Sequence, residues 1–203
     1  MRRGRRAVLA LATAAIGILA PPGTHAQAPL SNHLIDGKVV RQIREYMTAP
    51  IVIMTLRGSN EARQSLSQPE VEGLDTIWRE QREADIKPLI ASTLSNPLSN
   101  YLTRIQAHSG GLIVEIIVVG NKGLNAGQSS ITSDMWQGDE AKFQKTVGVG
   151  PSAVFIDEAE WHEGSGTWRA QLNLTIDDPD SGAAIGAATV EINLTELDRR
   201  SAL

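Results

Sequence analysis

Apolar side chains recur at near-helical spacing as far as Gly110-Gly111, and from Leu112 onward the pattern is that of strands. A chain that sets its helices first and its strands afterwards does not alternate strand and helix as a parallel sheet requires. It is directed to an α+β architecture with helices laid on an antiparallel sheet. On the helical side, Leu34, Val39, Val40, Ile43, Tyr46 and Met47 form a first stripe behind Ser31 or Asn32 as cap, and Pro50 should end or kink it. Gly58-Ser59-Asn60 reads as a break. Ser67-Gln68-Pro69-Glu70 is a capping box with Pro in the first turn. The helix it opens should bury Val71, Leu74, Ile77 or Trp78, and Ile86, with Arg79, Glu80, Arg82 and Glu83 toward solvent. Asn96-Pro97 starts another helix, with Leu98, Leu102 and Ile105 aligned.

Past the switch, Leu112–Val119 is a nearly continuous β-branched run, the mark of a strand covered on both faces, and Glu115 is its one charge. Ala153–His162 and the run after Gly164-Ser165-Gly166 form a hairpin. From Trp168 to Asp177 the chain alternates, with Trp168, Ala170, Leu172, Leu174 and Ile176 on one face. Ala184–Leu194 alternates likewise through Ala188, Val190, Ile192 and Leu194, and the tail from Thr195 reads as short and polar. The expected fold is α+β: a five-stranded antiparallel sheet with long N-terminal helices packed on one face. Its helical part is 27–111 and its sheet part, with a crossover helix, is 112–203.

Residues 1–26 read as a cleaved signal peptide. Arg2, Arg3, Arg5 and Arg6 form a positive region, Ala7–Ala20 a weakly apolar one, and Thr24-His25-Ala26 a small-residue cleavage site. The apolar run is shorter than the ~20 residues of a spanning helix. Arg5-Arg6 with the residues after it is similar to a twin-arginine export signal. The expectation is a periplasmic protein. Losing four leader arginines takes Lys+Arg from 19 to 15 against 23 acids, so the net charge moves from −4 to −8. That balance argues against a nucleic-acid partner. The chain has no Cys, so disulfides, thiolate nucleophiles and Cys-based metal sites are excluded.

Polar and charged side chains crowd together in Gly120–Gln144, between two strand-like regions. Ser133-Asp134 should open a helix carrying Trp136, Gln137, Asp139, Glu140 and Lys142. A Trp face with an Asp and a Lys can hold a small zwitterion or carboxylate; the same residues also suit a helix start with Asp134 as cap and Trp136 as core plug. Glu158, Glu160 and His162 share a strand face and could bind a metal, although acidic strand edges are commoner. Glu115 could face Glu191 or Asn193 on the last strand, where two near carboxylates would raise one pKa; a single salt-bridged or pocket-lining Glu is the plainer reading. Asp177, Asp178 and Asp180 resemble a calcium loop only loosely, and no phosphate loop, nucleophile elbow or zinc-protease motif is present.

Three segments carry a family resemblance: Glu72–Arg79 with its Leu-Asp-x-x-Trp-Arg pattern, Gly123–Ser129, and Thr132–Lys142. The last reads Thr-Ser-Asp-Met-Trp-Gln-Gly-Asp-Glu-Ala-Lys and is similar to the Thr-Ser-Asp-Tyr-Trp-Gln-Gly-Asp-Glu-Ala-Lys segment of periplasmic single-Cache proteins. Together with the element order, they identify a resemblance to the extracytoplasmic Cache (PAS-like, PDC) sensor domains. Met135 departs from the pattern's Tyr and Ala126 from its Val. The resemblance implies a non-catalytic sensory-type domain without a cofactor, and the short tail after the last strand leads to the expectation that it lacks an output module of its own. It would bind a small polar ligand (an amino acid, carboxylate or amine) on the sheet, and signal through a membrane-bound sensor kinase or receptor. The expected ligand-binding residues are Asn125, Asp134, Trp136, Gln137, Asp139, Lys142 and Asp177. The rival expectation is an interaction module whose pocket is plugged by Trp136 and Met135 and which docks on a membrane sensor or receptor.

Overall fold

The computed structural model describes residues 29–202; the leader predicted over 1–26 lies outside them. After a short turn at Asn32–Leu34, five helices come first: α1 Gly37–Met47, α2 Pro50–Arg63, α3 Gln68–Glu83, α4 Pro88–Leu94 and α5 Pro97–His108. Strands β1 Ile113–Gly120 and β2 Asn125–Gln128 follow, then α6 Ala141–Gln144. Strands β3 Val154–Ile156, β4 Glu160–His162, β5 Thr167–Asp177 and β6 Ala184–Asn193 lead to α7 Leu194–Ser201. No helix of the described residues is long and apolar enough to cross a membrane.

The sheet runs β2-β1-β6-β5-β3, every pair antiparallel, with β4 also on the β5 edge. The five expected positions are thus filled by six strands, because the edge strand read as Ala153–His162 is interrupted between Ile156 and Glu160. The alternation read in the last two strands sets the two faces. Ala170, Leu172, Leu174 and Ile176 of β5 and Ala188, Val190 and Ile192 of β6 join the main core with Val52, Leu56, Leu98 and Leu102 of the helices. In β1 a register shift between Ile113 and Glu115 lets Ile113, Ile116 and Val118 all face that core. Ile117 and Val119 point the other way and are covered by Phe143 and Val147 from the crossover. Both faces of β1 are therefore buried, as its nearly continuous apolar run requires.

Several helix boundaries differ from expectation. Pro50 opens α2 at its first turn, where its missing N–H costs nothing. Gly58 sits inside that helix, and a Cβ there would meet nothing within 4 Å. Trp78 is fully buried while Ile77 and Ile86 are exposed. The tail forms a helix after all: Asn193 caps it, Leu194 and Leu197 are buried, and Glu196 pairs with Arg199 and Arg200 at 2.8 Å each.

The principal correction concerns the segment from Ser133 to Glu140, which is not helical; the helix starts only at Ala141. Its backbone is committed elsewhere. The Asn125 N–H donates to the Met135 carbonyl at 2.9 Å, and the Gln137 N–H donates to the Gly123 carbonyl at 2.8 Å. Trp136 thereby makes an antiparallel bridge with Leu124, beside β2. A helix would need those same groups for itself.

A charged cleft on the outer face of the sheet

Two segments that carry the family resemblance meet in space. One carboxylate oxygen of Asp75, on α3, accepts from the backbone N–H of Met135 at 2.8 Å and of Trp136 at 3.1 Å. One turn on, the Trp78 indole N–H donates to the Thr132 carbonyl at 3.1 Å, and the Arg82 guanidinium donates to the Ser133 carbonyl at 3.2 Å. Arg79 pairs with the other Asp75 oxygen at 2.8 Å and lies 3.9 Å from Asp134. Asp75, Trp78, Arg79 and Arg82 fall three or four apart and share one helix face. Arg79 and Arg82, expected simply to face solvent, reach across to this segment.

The residues picked from the sequence divide into groups. Asn125, Asp134, Trp136 and Gln137 are brought together. The buried Asn125 amide donates to Gln128 at 2.9 Å, to Thr132 at 3.0 Å and to the Asp134 carbonyl at 3.0 Å. Gln137, also buried, donates to the Asp134 carboxylate. The Trp136 indole N–H donates to the Lys122 carbonyl at 3.0 Å. Met135 is fully buried against Val71, Trp78, Ile90 and Leu124, so the space beside Trp136 is filled by side chains. Asn125 Oδ1 and Gln137 Oε1 are buried without a hydrogen-bond partner among the described residues. Asp139 is exposed. Lys142 pairs with Glu140 at 3.0 Å. Asp177 lies apart and accepts from the N–H of Ser152 at 2.9 Å and its hydroxyl at 3.2 Å. That contact steadies Ser152, which holds φ 62°. Of the loosely calcium-like acids, Asp178 and Asp180 instead take the Arg57 guanidinium, at 2.7 and 2.5 Å.

An open cleft of about 700 Å³ lies elsewhere, on the face of the sheet opposite the main core. Arg169 and Gln171 of β5 and Glu191 of β6 form its floor, Phe155 and the break at Asp157-Glu158 its wall, and Lys145, just after α6, its rim. None of the seven sequence-picked residues lines it. Arg169 pairs with Glu191 at 3.2 Å, placing both signs of charge on the floor. Glu160 stands opposite Arg169 in register across the hairpin. The Asn32 amide holds the break open by donating to the Asp157 carbonyl at 2.8 Å. The only hint of this cleft in the sequence is the polar half of the β5 and β6 alternation, which reads as plain solvent-facing surface. Among the described residues no group of three His, Cys, Asp or Glu side chains is placed to hold a metal ion, Glu158, Glu160 and His162 included.

Glu115 stands opposite Glu191 across the β1–β6 ladder, as the sequence suggested. Burial raises its pKa above the ordinary glutamate value and the neighbouring Glu191 adds to the rise; the Ser130 hydroxyl, which donates to it, and the charges of Lys142 and Arg169 oppose the rise. The result is a partly buried carboxylate beside the cleft floor, with both signs of charge around it.

No family model matches the sequence, and no curated protein matches it. Solved structures similar in shape include the sensory domain of the Campylobacter jejuni chemoreceptor Tlp3, at 13% identity and TM-score 0.39, covering 79% of this chain and 64% of that one. The ligand-binding domain of the Pseudomonas aeruginosa amino acid chemoreceptor PctC, in complex with GABA, is similar at 14% identity and TM-score 0.32, covering 79% and 66%. An extracellular domain assigned to a histidine kinase, vpHK1S-Z8, is similar at 9% identity and TM-score 0.45, covering 82% and 53%. The chain thus spans between about half and two thirds of the length of these structures. All three are sensory, ligand-binding or extracellular domains of receptors or kinases.

Proposed function

We propose that this chain is a sensory-type domain that works outside the cytoplasm and binds a small polar molecule in the cleft, without chemistry. The observation that carries the proposal is the Arg169–Glu191 pair on the floor of an open cavity of about 700 Å³. A site of that size takes an amino acid, a carboxylate or an amine, and paired charges of both signs fix the orientation of such a ligand. The sequence resemblance to Cache sensors and the order of the sheet support the same reading. Asn125, Asp134, Trp136 and Gln137 then frame the crossover segment, Lys142 shapes the field at Glu115, and Asp177 anchors the loop at Ser152. The bound state is passed on to a membrane-bound sensor kinase or receptor.

A second reading, an interaction module, is favoured by the filled space at Met135 and Trp136. A thermal-shift panel of amino acids, carboxylates and amines separates the two. A ligand at about 100 times its Kd stabilises the folded state by about 2.7 kcal/mol, so a true ligand raises Tm by several degrees. Silence across the whole panel favours the interaction module.

A further inference from the structure

We infer that Lys145 is a built-in competitor for the cleft and that the cleft selects a small organic cation. The inference rests on the cleft being the binding site. Six charged side chains line it: Lys145 and Arg169 against Asp157, Glu158, Glu160 and Glu191, so the lining is net negative by two. Arg169 is already committed to Glu191. Lys145 pairs with no carboxylate among the described residues. Its ammonium lies over the face of Phe155 instead, 3.9 Å from the ring centroid. The negative face of an aromatic ring attracts a cation, and more strongly where water is thinned out.

The position over Phe155 is therefore one where an ammonium is stable within an acidic cavity, and the chain's own lysine holds it. Lys145 follows α6 directly and is itself exposed, so its long side chain can swing into solvent without disturbing the core. An incoming ammonium takes over the ring and has the carboxylates of Glu160 and Glu191 at the same cavity wall and floor. A carboxylate ligand of the same size gains no such place and faces four acids. Lys145 thus sets a threshold: only a cation that binds the ring and the acids better than the tethered lysine does will occupy the cleft.

The test is isothermal titration of n-butylammonium and of butyrate, its carboxylate counterpart, against the wild type and the Lys145→Ala, Lys145→Arg and Lys145→Ala/Phe155→Leu variants. Removing the competitor in Lys145→Ala should tighten butylammonium binding by about two- to tenfold, the range that one exposed to partly desolvated cation–π contact spans. Lys145→Arg keeps a cation over the ring and should bind as the wild type does. The double variant, which keeps the apolar bulk but not the ring, should lose the gain. Butyrate should not bind more tightly to any variant. Equal or weaker butylammonium binding by Lys145→Ala overturns the inference, as does a gain that survives Phe155→Leu or a butyrate site that depends on Lys145. If panel ligands still bind while Lys145→Ala shows no gain, only the lysine inference falls. If neither the probes nor the panel bind, the cleft reading falls with it.

Discussion

Asp75 and Trp136 are 61 residues apart in sequence, yet a carboxylate oxygen of the first accepts the backbone N–H of the second at 3.1 Å, and that of Met135 at 2.8 Å. This contact decides the path of the crossover segment. Two adjacent N–H groups that would otherwise be orphaned in a buried turn are satisfied by one charged acceptor.

Asp75→Ala should therefore destabilise the fold by about 1.5–3 kcal/mol, the worth of hydrogen bonds to a charged group whose partners are left buried. For a chain of this size that is a fall in Tm of about 3–12 °C. Asp75→Asn, which retains an acceptor but not the pairing with Arg79, should lose less. Thermal unfolding followed by circular dichroism reads both; an Asp75→Ala protein as stable as the wild type would contradict the clamp.

Gly123 and Gly58 make a matched pair. Gly123 holds φ +77°, and a Cβ there would stand 2.7 Å from the backbone of Gly138, which packs on the Trp136 indole. Gly58 lies in α2 with open space around it. Gly123→Ala should cost more than about 2 kcal/mol, since left-handed strain and a backbone clash add. Gly58→Ala should stabilise by about 0.5–1 kcal/mol through helix propensity. Urea unfolding of the two variants measures the contrast, and similar midpoints for both would count against the placement of Gly123 under the crossover.

Stability should depend on pH through Glu115 with a sign opposite to that of most carboxylates. Its folded pKa is raised, first by burial and then by Glu191, so the folded state takes up this proton before the unfolded chain does. The penalty for holding it ionised is complete at neutral pH and fades as pH falls through the raised pKa toward the ordinary value of 4.5. Glu115→Gln should then be more stable than the wild type at pH 7–8, with the advantage vanishing near pH 4.5. Asp178 and Glu196 act the other way: arginine hydrogen bonds from Arg57, and from Arg199 and Arg200, lower both pKa values, Glu196 to about 2. Their stabilisation is full above the ordinary carboxylate range and is lost on further acidification in both proteins. Tm measured against pH for the two proteins gives the difference; one that is constant or grows toward acid would contradict the burial of Glu115.

The sheet was legible because its pattern is local. Leu172, Leu174 and Ile176, with Val190 and Ile192, lie two residues apart and all reach the core, and the nearly continuous apolar run of β1 is buried on both faces. The capping box at Ser67 forms as read, its N–H donating to Glu70 at 2.7 Å. What was not legible depends on distant partners. Asp134 and Trp136 look like a helix start because nothing near them reveals that Asp75 takes the N–H groups of Met135 and Trp136 and that the Gly123 carbonyl takes that of Gln137. The tail looked merely polar, but Leu194 and Leu197 find the core from a helix tied down by Glu196. The cleft is assembled from short stretches of β3 and the break after it, β4, β5, β6, the turn after α6 and the turn at Asn32, so no contiguous motif announces it.

The most direct test of the account compares two places on the molecule with one ligand. A compound that stabilises the wild type in the thermal panel is titrated calorimetrically into the wild type, Arg169→Gln and Trp136→Phe. The cleft account expects Arg169→Gln, which frees the Glu191 carboxylate, to tighten the binding of a cation by about tenfold, or to weaken that of an anion by as much, the worth of one charged contact, and Trp136→Phe to leave the affinity nearly unchanged. Affinity lost in Trp136→Phe but unchanged in Arg169→Gln would contradict it and place the ligand beside the crossover segment instead.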